Sequence, residues 1–242
     1  HSNSGRYYMV KDPEMVREAL ATTEPLLSIN EGIPEDLFDH IVGYDDVKYW
    51  LLKSIKAENP VHILLAGPPA TAKSLFLESL ALLPGSQYTL GGSSTKAGIA
   101  EFLLYFHPRF LILDELEKMD RNDFSVLLSL MSSGLVVTMK KGMRQAQKMQ
   151  VSVYAGVNRP ELLPPELRSR FLPFHFMEYS FKEFIQIAVT VITRQLGKDP
   201  DLAQYIAERV VFRTRDVRQA IQLAKLVDTK DEVDRYEGAR LL

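Results

Sequence analysis

The segment His62-Ile63-Leu64-Leu65-Ala66-Gly67-Pro68-Pro69-Ala70-Thr71-Ala72-Lys73-Ser74 constrains the fold of this chain more than any other. An apolar run of one strand's length breaks at Gly67, turns through two prolines and restarts as a helical pattern at Lys73-Ser74-Leu75. Strand, loop and helix in that order are what a phosphate-binding loop requires. Its chemistry calls for backbone amides turned toward phosphate oxygens, a lysine that reaches the outer phosphates and a hydroxyl for a magnesium ion. Gly67, Lys73 and Ser74 supply these, and Pro68, Pro69, Ala70, Thr71, Ala72 and Leu75 complete the candidate cradle. The pattern departs from its general form at Ala72, where glycine is usual.

A second motif answers the first. Phe110-Leu111-Ile112-Leu113-Asp114-Glu115 is an apolar strand that delivers two adjacent carboxylates at its carboxyl end, the edge of an open α/β sheet where ligands bind. There Asp114 is the candidate magnesium ligand, and Glu115 the general base that polarises an attacking water. Short apolar runs at Val61–Ala66, Tyr88–Leu90, Phe110–Leu113, Val151–Val157 and Phe171–Phe176 alternate with helical stretches. That alternation predicts crossover units and a mainly parallel sheet.

After Phe176 the strand-like runs cease. Amphipathic patterns at Phe181–Leu196, Leu202–Val211 and Val217–Val227 predict a small helical domain, with Phe184, Ile187, Ala188, Val191 and Ile192 on its core face. The expected organisation is an N-terminal flank over 1–36, an α/β core over 37–177 and a helical lid over 178–242. Within the flank, Pro13–Ala21 reads as a short helix, Gly5-Arg6-Tyr7-Tyr8 as a hairpin edge and Ser28–Pro34 as a linker. His1–Gly5 reads as a remnant of cloning.

Composition removes other classes. With 29 basic and 31 acidic residues no global field drives the chain onto nucleic acid or a membrane, so such binding must come from local patches. The absence of cysteine rules out thiolate catalysis and cysteine-bound metal, and no apolar run has the length of a membrane span, so the expected address is the cytoplasm. His40, His62, His107 and His175 lack metal-ligand spacing, and they and Trp50 read as core or surface residues.

From about Phe38 to the end of the helical stretch the chain resembles AAA+ ATPases. Phe38-Asp39-His40-Ile41-Val42-Gly43-Tyr44 looks like the segment that packs against adenine in that family, which assigns Ile41, Val42 and Gly43 to the nucleotide. Tyr154-Ala155-Gly156-Val157-Asn158 resembles the sensor 1 strand, with Asn158 at the terminal phosphate and the water. Leu167-Arg168-Ser169-Arg170-Phe171 resembles the arginine-finger segment, Arg170 first and Arg168 in reserve. Thr214-Arg215-Asp216-Val217-Arg218 resembles sensor 2, with Arg218 reaching the phosphates from the lid. The resemblance implies a P-loop αβα sandwich on a five-stranded parallel sheet with a helical lid. It also implies ATP and magnesium as cofactors and a homo-oligomeric ring, by resemblance a hexamer.

Within that family the Ala-Lys-Ser ending of the loop and the Gly/Ser-rich stretch Tyr88–Ile99 resemble minichromosome-maintenance (MCM) helicases. The doubled arginine resembles RuvB branch-migration motors, and Gly98–Phe110 is too short for the extra insertion of MCM proteins. Leu127–Thr138 running into Lys140-Lys141-Gly142 resembles the hairpin that precedes sensor 1 in MCM, RuvB, MoxR and magnesium chelatase proteins. From Phe124 to Pro160 there is no Asp or Glu, while Lys140, Lys141, Arg144, Lys148 and Arg159 are present. Basic hairpin tips engage a phosphate backbone without reading sequence, so Lys140, Lys141 and Arg144 are the candidate DNA contacts. The expected function is an ATP-driven DNA translocase or branch-migration motor, the alternatives being a MoxR-like or chelatase-like remodeller of protein partners and a slow nucleotide-switched scaffold.

Overall fold

The computed structural model describes residues 33–93, 95–140 and 143–240, and residues 34–242 form one compact unit. The elements expected in the N-terminal flank lie outside the described residues, except Ile33 and Pro34.

Five strands form one sheet: β1 (Ile63–Ala66), β2 (Ser86–Leu90), β3 (Phe110–Asp114), β6 (Ser152–Val157) and β7 (Leu172–His175). Their order is β2-β3-β6-β1-β7 and each neighbouring pair is parallel. A sheet buried on both faces needs apolar residues on both sides of each strand, which is why β1, β3 and β6 read as continuous apolar runs. Leu64, Ala66, Leu111, Leu113, Val153 and Ala155 face one layer with residues of α3 (Lys96–Phe106), α4 (Phe124–Ser133) and α5 (Pro165–Arg168). The alternate residues meet α1 (Asp45–Ile55) and α2 (Lys73–Ala81): Ser54 in α1 hydrogen-bonds the Tyr154 hydroxyl at 2.9 Å, and α2 packs on β2, β3 and β6. The result is the expected αβα sandwich.

Between α4 and β6 the chain folds β4 (Leu135–Lys140) and β5 (Met143–Lys148) into a separate antiparallel hairpin. Gly134, left-handed at φ 71, stops α4 and starts β4. Lys140 pairs with Met143; Lys141 and Gly142, where the basic tip was expected, lie outside the described residues. The hairpin rests on α3 and α4, and Gln147 hydrogen-bonds His107 at the end of α3.

After β7 come α6 (Phe181–Leu196), α7 (Pro200–Val211), α8 (Val217–Leu226) and α9 (Lys230–Arg240). The first three follow the amphipathic patterns, and α6 opens with a full capping box between Ser180 and Glu183. Phe184, Ala188 and Ile192 join Ile206, Val210, Ala220 and Leu223 in one apolar cluster. Helix α9 gives no stripe in the sequence because, among the described residues, Val233 alone is deeply buried on it. It is held by polar contacts instead: Arg213 to Glu237, and the Tyr205 hydroxyl to both carboxylate oxygens of Asp234.

Candidate active site

The carboxyl ends of β1, β6 and β3 lie side by side, and β1 and β3 each hand the chain to a segment with a special backbone. After β1, Gly67 donates its N–H to the Val157 carbonyl at 3.1 Å. A Cβ at this position would collide with the Phe176 carbonyl. Gly67 therefore serves close packing, and its amide is not free for a phosphate as the sequence implied. Ala70 is left-handed at φ 64, a conformation that costs a non-glycine residue about 1–2 kcal/mol and that concentrates at working sites.

Helix α2 starts at Lys73 with no side-chain cap and no acidic residue in its first turn. Uncapped amides and the positive end of the helix dipole make such a terminus a ready anion site. Lys73 is buried, at 4% exposure, and its ammonium donates to the Pro68 carbonyl at 2.6 Å and the Thr71 hydroxyl at 3.1 Å. Burial pulls its pKa down, the charges of Asp114 and Glu117 raise it, and Arg218 lowers it. Those couplings put the lid arginine and the strand-end carboxylates in the field of one lysine.

Ser74 donates its hydroxyl to Asp114 Oδ2 at 2.9 Å. The same oxygen accepts from the Tyr88 hydroxyl at 3.3 Å, and Asp114 Oδ1 accepts the Glu115 N–H at 2.8 Å. A Cβ on Gly156 would lie 2.6 Å from Asp114 Oδ1, so the carboxylate occupies space that only glycine leaves. Glu115 is left-handed at φ 52 and its Oε1 accepts from Lys118 at 2.6 Å. The short 3₁₀ turn Leu116–Lys118 then returns Glu117 to the end of β6, where its Oε1 accepts the Asn158 N–H at 3.0 Å.

Two cavities flank this edge. One, of about 520 Å³, runs from Pro69, Ala70 and Thr71 to Thr214, Arg215, Asp216 and Arg218. The other, of about 550 Å³, is lined by Val42, Gly43, Tyr44, His175, Gln186 and Ile187 among others. Tyr179 belongs to both walls, with its ring centroid 6.1 Å from that of Tyr44. Ile41, expected beside Val42 and Gly43, is enclosed in the core at 2% exposure and lines neither cavity.

No protein-family model matches the chain. The RuvB branch-migration subunit of Fervidobacterium nodosum is 29% identical over 192 residues, 73% of this chain and 55% of the relative. DNA replication licensing factor MCM4 of Drosophila melanogaster is 25% identical over 170 residues, 63% of this chain and 20% of the relative. The solved RuvB motor of Thermotoga maritima superposes with a TM-score of 0.62 at 24% identity, covering 77% of this chain and 62% of that one. The chain resembles AAA+ modules of the MCM and RuvB kind, and its fold is that of the solved RuvB motor. It spans about a fifth to a little over half the length of these curated relatives.

The Gly67–Ser74 loop, Asp114, Glu115, Asn158 and Arg218 stand at one edge of the sheet or in the cavity beside it. Arg218 lies in the first turn of α8 and is held by the cap residue Asp216, donating from Nε at 2.9 Å and Nη2 at 2.9 Å. Arg168 and Arg170 are exposed and lie at the opposite edge. Leu172 pairs with Ile63 at the start of β1, and Arg170 is among the charges that act on His62 there. Lys140 and Arg144 have their backbones in the hairpin strands; their side chains lie outside the described residues. Glu117, Tyr88 and Tyr179 were missed by sequence reasoning. The Leu116-Glu117-Lys118 run after the paired carboxylates was the available signal for the first, and nothing in the local sequence marks the other two.

Tyr88 carries a pH prediction. Burial first, then the charge of Asp114, pushes its phenol up to about 12, while burial takes Tyr154 to about 12 as well. A folded-state pKa raised above the unfolded value of about 10 gives stability that is full below pH 10 and is lost as pH climbs through about 12. Tyrosinate absorbance should show both groups ionising after the ordinary tyrosines, with stability to urea falling over the same window. The Tyr88→Phe variant should lose less of its stability there than the parent.

Proposed function

We propose that this AAA+ module binds ATP with magnesium and hydrolyses it between the subunits of a ring, and that the ring is a motor on DNA. The observation that supports it most is the grouping of Ser74, Asp114 and Lys73 at an uncapped helix terminus, while the arginine pair stands at the far end of the same strands.

The donor set suits magnesium. A hydroxyl and one carboxylate already within 2.9 Å of each other match an ion that takes hard oxygens, keeps several waters and shares the rest of its shell with phosphates. Among the described residues there is no cluster of three His, Cys, Asp or Glu that could cage a metal alone, as such a shared site requires. Bound there, the ion would neutralise charge on the outer phosphates. Lys73 exchanges the Pro68 carbonyl and the Thr71 hydroxyl for phosphate oxygens. Glu115 takes a proton from the attacking water once Lys118 releases it. Asn158 orients that water, and Arg218 closes from the lid. Val42, Gly43 and Tyr44 form the wall of the base cavity.

Replacing Lys73 with Ala should abolish nucleotide binding, whereas Glu115→Gln should bind and not turn over. Equal loss of binding in both variants would move Glu115 into the magnesium shell. Calorimetric ATP titration with a steady-state hydrolysis assay separates these outcomes.

Arg170 acts on a neighbouring subunit's phosphates. Strand β1 alone extends roughly 13 Å at about 3.3 Å per residue, more than an arginine can span back to its own loop. A transition-state arginine is worth about 10³–10⁵ in rate, so it must sit against the phosphates it serves. Mixed rings of Arg170→Ala and Lys73→Ala subunits should recover part of the lost hydrolysis, at interfaces that pair an intact arginine with an intact loop. Mixtures as inactive as either parent would remove the support for action in trans, and Arg168→Ala is then the next pairing to mix.

Support for DNA as the track comes from the acid-free stretch 125–159 and from the MCM and RuvB relatives. Hydrolysis should be stimulated by single-stranded, duplex or junction DNA, and binding should weaken with salt. Changing Lys140 and Lys141 together to Ala should lower the salt slope by roughly one or two and leave basal hydrolysis intact. A ring that binds none of the three DNA forms would contradict the motor reading and favour a protein remodeller.

A further inference from the structure

One peptide group joins the two halves of the site. The carbonyl of Val157 accepts the Gly67 N–H at 3.1 Å, and the N–H of Asn158 donates to Glu117 Oε1 at 3.0 Å. These are the C=O and N–H of the same peptide unit, which is planar and rigid. Its orientation is therefore fixed from both sides, by the first residue of the phosphate loop and by a carboxylate three positions after Asp114.

The rest of the geometry explains why a carboxylate stands there. Glu115 takes the left-handed conformation and the 3₁₀ turn after it, Leu116–Lys118, carries Glu117 back across the sheet edge to β6. Gly91 lies against this turn: a Cβ on it would collide with the Glu115 carbonyl and lie 3.0 Å from Leu116 Cα, so the turn has no room to drift. Glu117 Oε2 is buried with no hydrogen-bond partner among the described residues, a costly placement that the Oε1 bond alone does not repay. The charge of Glu117 is also felt at Lys73.

We infer that Glu117 is a positioning residue: by holding the Val157–Asn158 peptide it sets both the Asn158 side chain and the mouth of the phosphate loop for hydrolysis. This rests on the reading of the site as an ATPase. A residue that acts this way lowers turnover more than it lowers affinity, because displacement by about 1 Å can cost about a hundredfold in rate.

Three variants separate the bond from the charge. Glu117→Gln keeps the reach and an acceptor oxygen but loses the charge; Glu117→Asp keeps the charge but withdraws the acceptor by one methylene; Glu117→Ala loses both. In the full chain, kcat for ATP should fall about tenfold to a hundredfold in the Asp and Ala variants with KM changed less than about threefold, and Gln should retain most of the turnover. Should the Ala variant fail to fold by circular dichroism, the Asp and Gln pair carries the comparison. The reverse order, with Asp active and Gln impaired, would overturn the inference in favour of a purely electrostatic role, and near-normal turnover in all three would overturn it outright. Hydrogen exchange at the Asn158 amide reads the same clamp without any catalysis. It should be faster by about tenfold or more in the Asp variant and close to wild type in Gln, a factor within reach of one hydrogen bond kept or lost. Exchange that is the same in Asp and wild type would sink the clamp, whereas a wild-type protein that hydrolyses no ATP yet shows the exchange pattern would sink the ATPase reading alone.

Discussion

Parallel pairing of β3, β6 and β1 is the constraint on which the rest depends. In a parallel sheet all carboxyl ends fall on one edge, so three segments far apart in the chain deliver Gly67, Asp114 and Asn158 to the same edge of the sheet. The same rule sends the amino ends, and with them Arg168 and Arg170, to the other edge. Under the proposed function, a subunit built this way carries one half of a reaction centre on each end of its sheet, and association into a ring would bring unlike ends together.

Much of this was legible in the sequence because burial on both faces forces continuous apolar runs, and those runs marked the strands. The αβα sandwich, the hairpin before β6 and helices α6 to α8 follow the patterns that predict them. Helix α9 did not show, since hydrophobic periodicity cannot register a helix attached through Arg213, Tyr205 and acidic partners. Strand limits moved by a residue or two. The apolar run Phe171–Phe176 counts side chains at its ends that lie outside the paired segment Leu172–His175.

Site residues divide in the same manner. Lys73, Ser74, Asp114 and Glu115 are set by local spacing within a strand–loop–helix or strand–turn unit, and such units fold as their sequences say. What Gly67, Ile41 and Glu117 do depends on contacts made across the sheet: the Gly67 amide goes to Val157, Ile41 turns inward, and Glu117 meets Asn158. Spacing along one chain segment carries no information about those partners. Tyr179 belongs to the same group, for it shares a cavity wall with Pro69, Ala70 and Thr71, and its carbonyl accepts from Arg215 at 3.0 Å.

The account turns on the Ser74–Asp114 pair as the place where magnesium and the outer phosphates of ATP meet. The most direct measurement is a crystal structure of the protein with a non-hydrolysable ATP analogue and manganese, a hard-oxygen cation whose anomalous scattering locates it without ambiguity. The account predicts an anomalous peak within coordination distance of Ser74 Oγ, on the Asp114 side of the phosphates, with the triphosphate lying over the α2 terminus. A metal bound away from Ser74, or a nucleotide seated anywhere but on the Gly67–Ser74 loop, would contradict it.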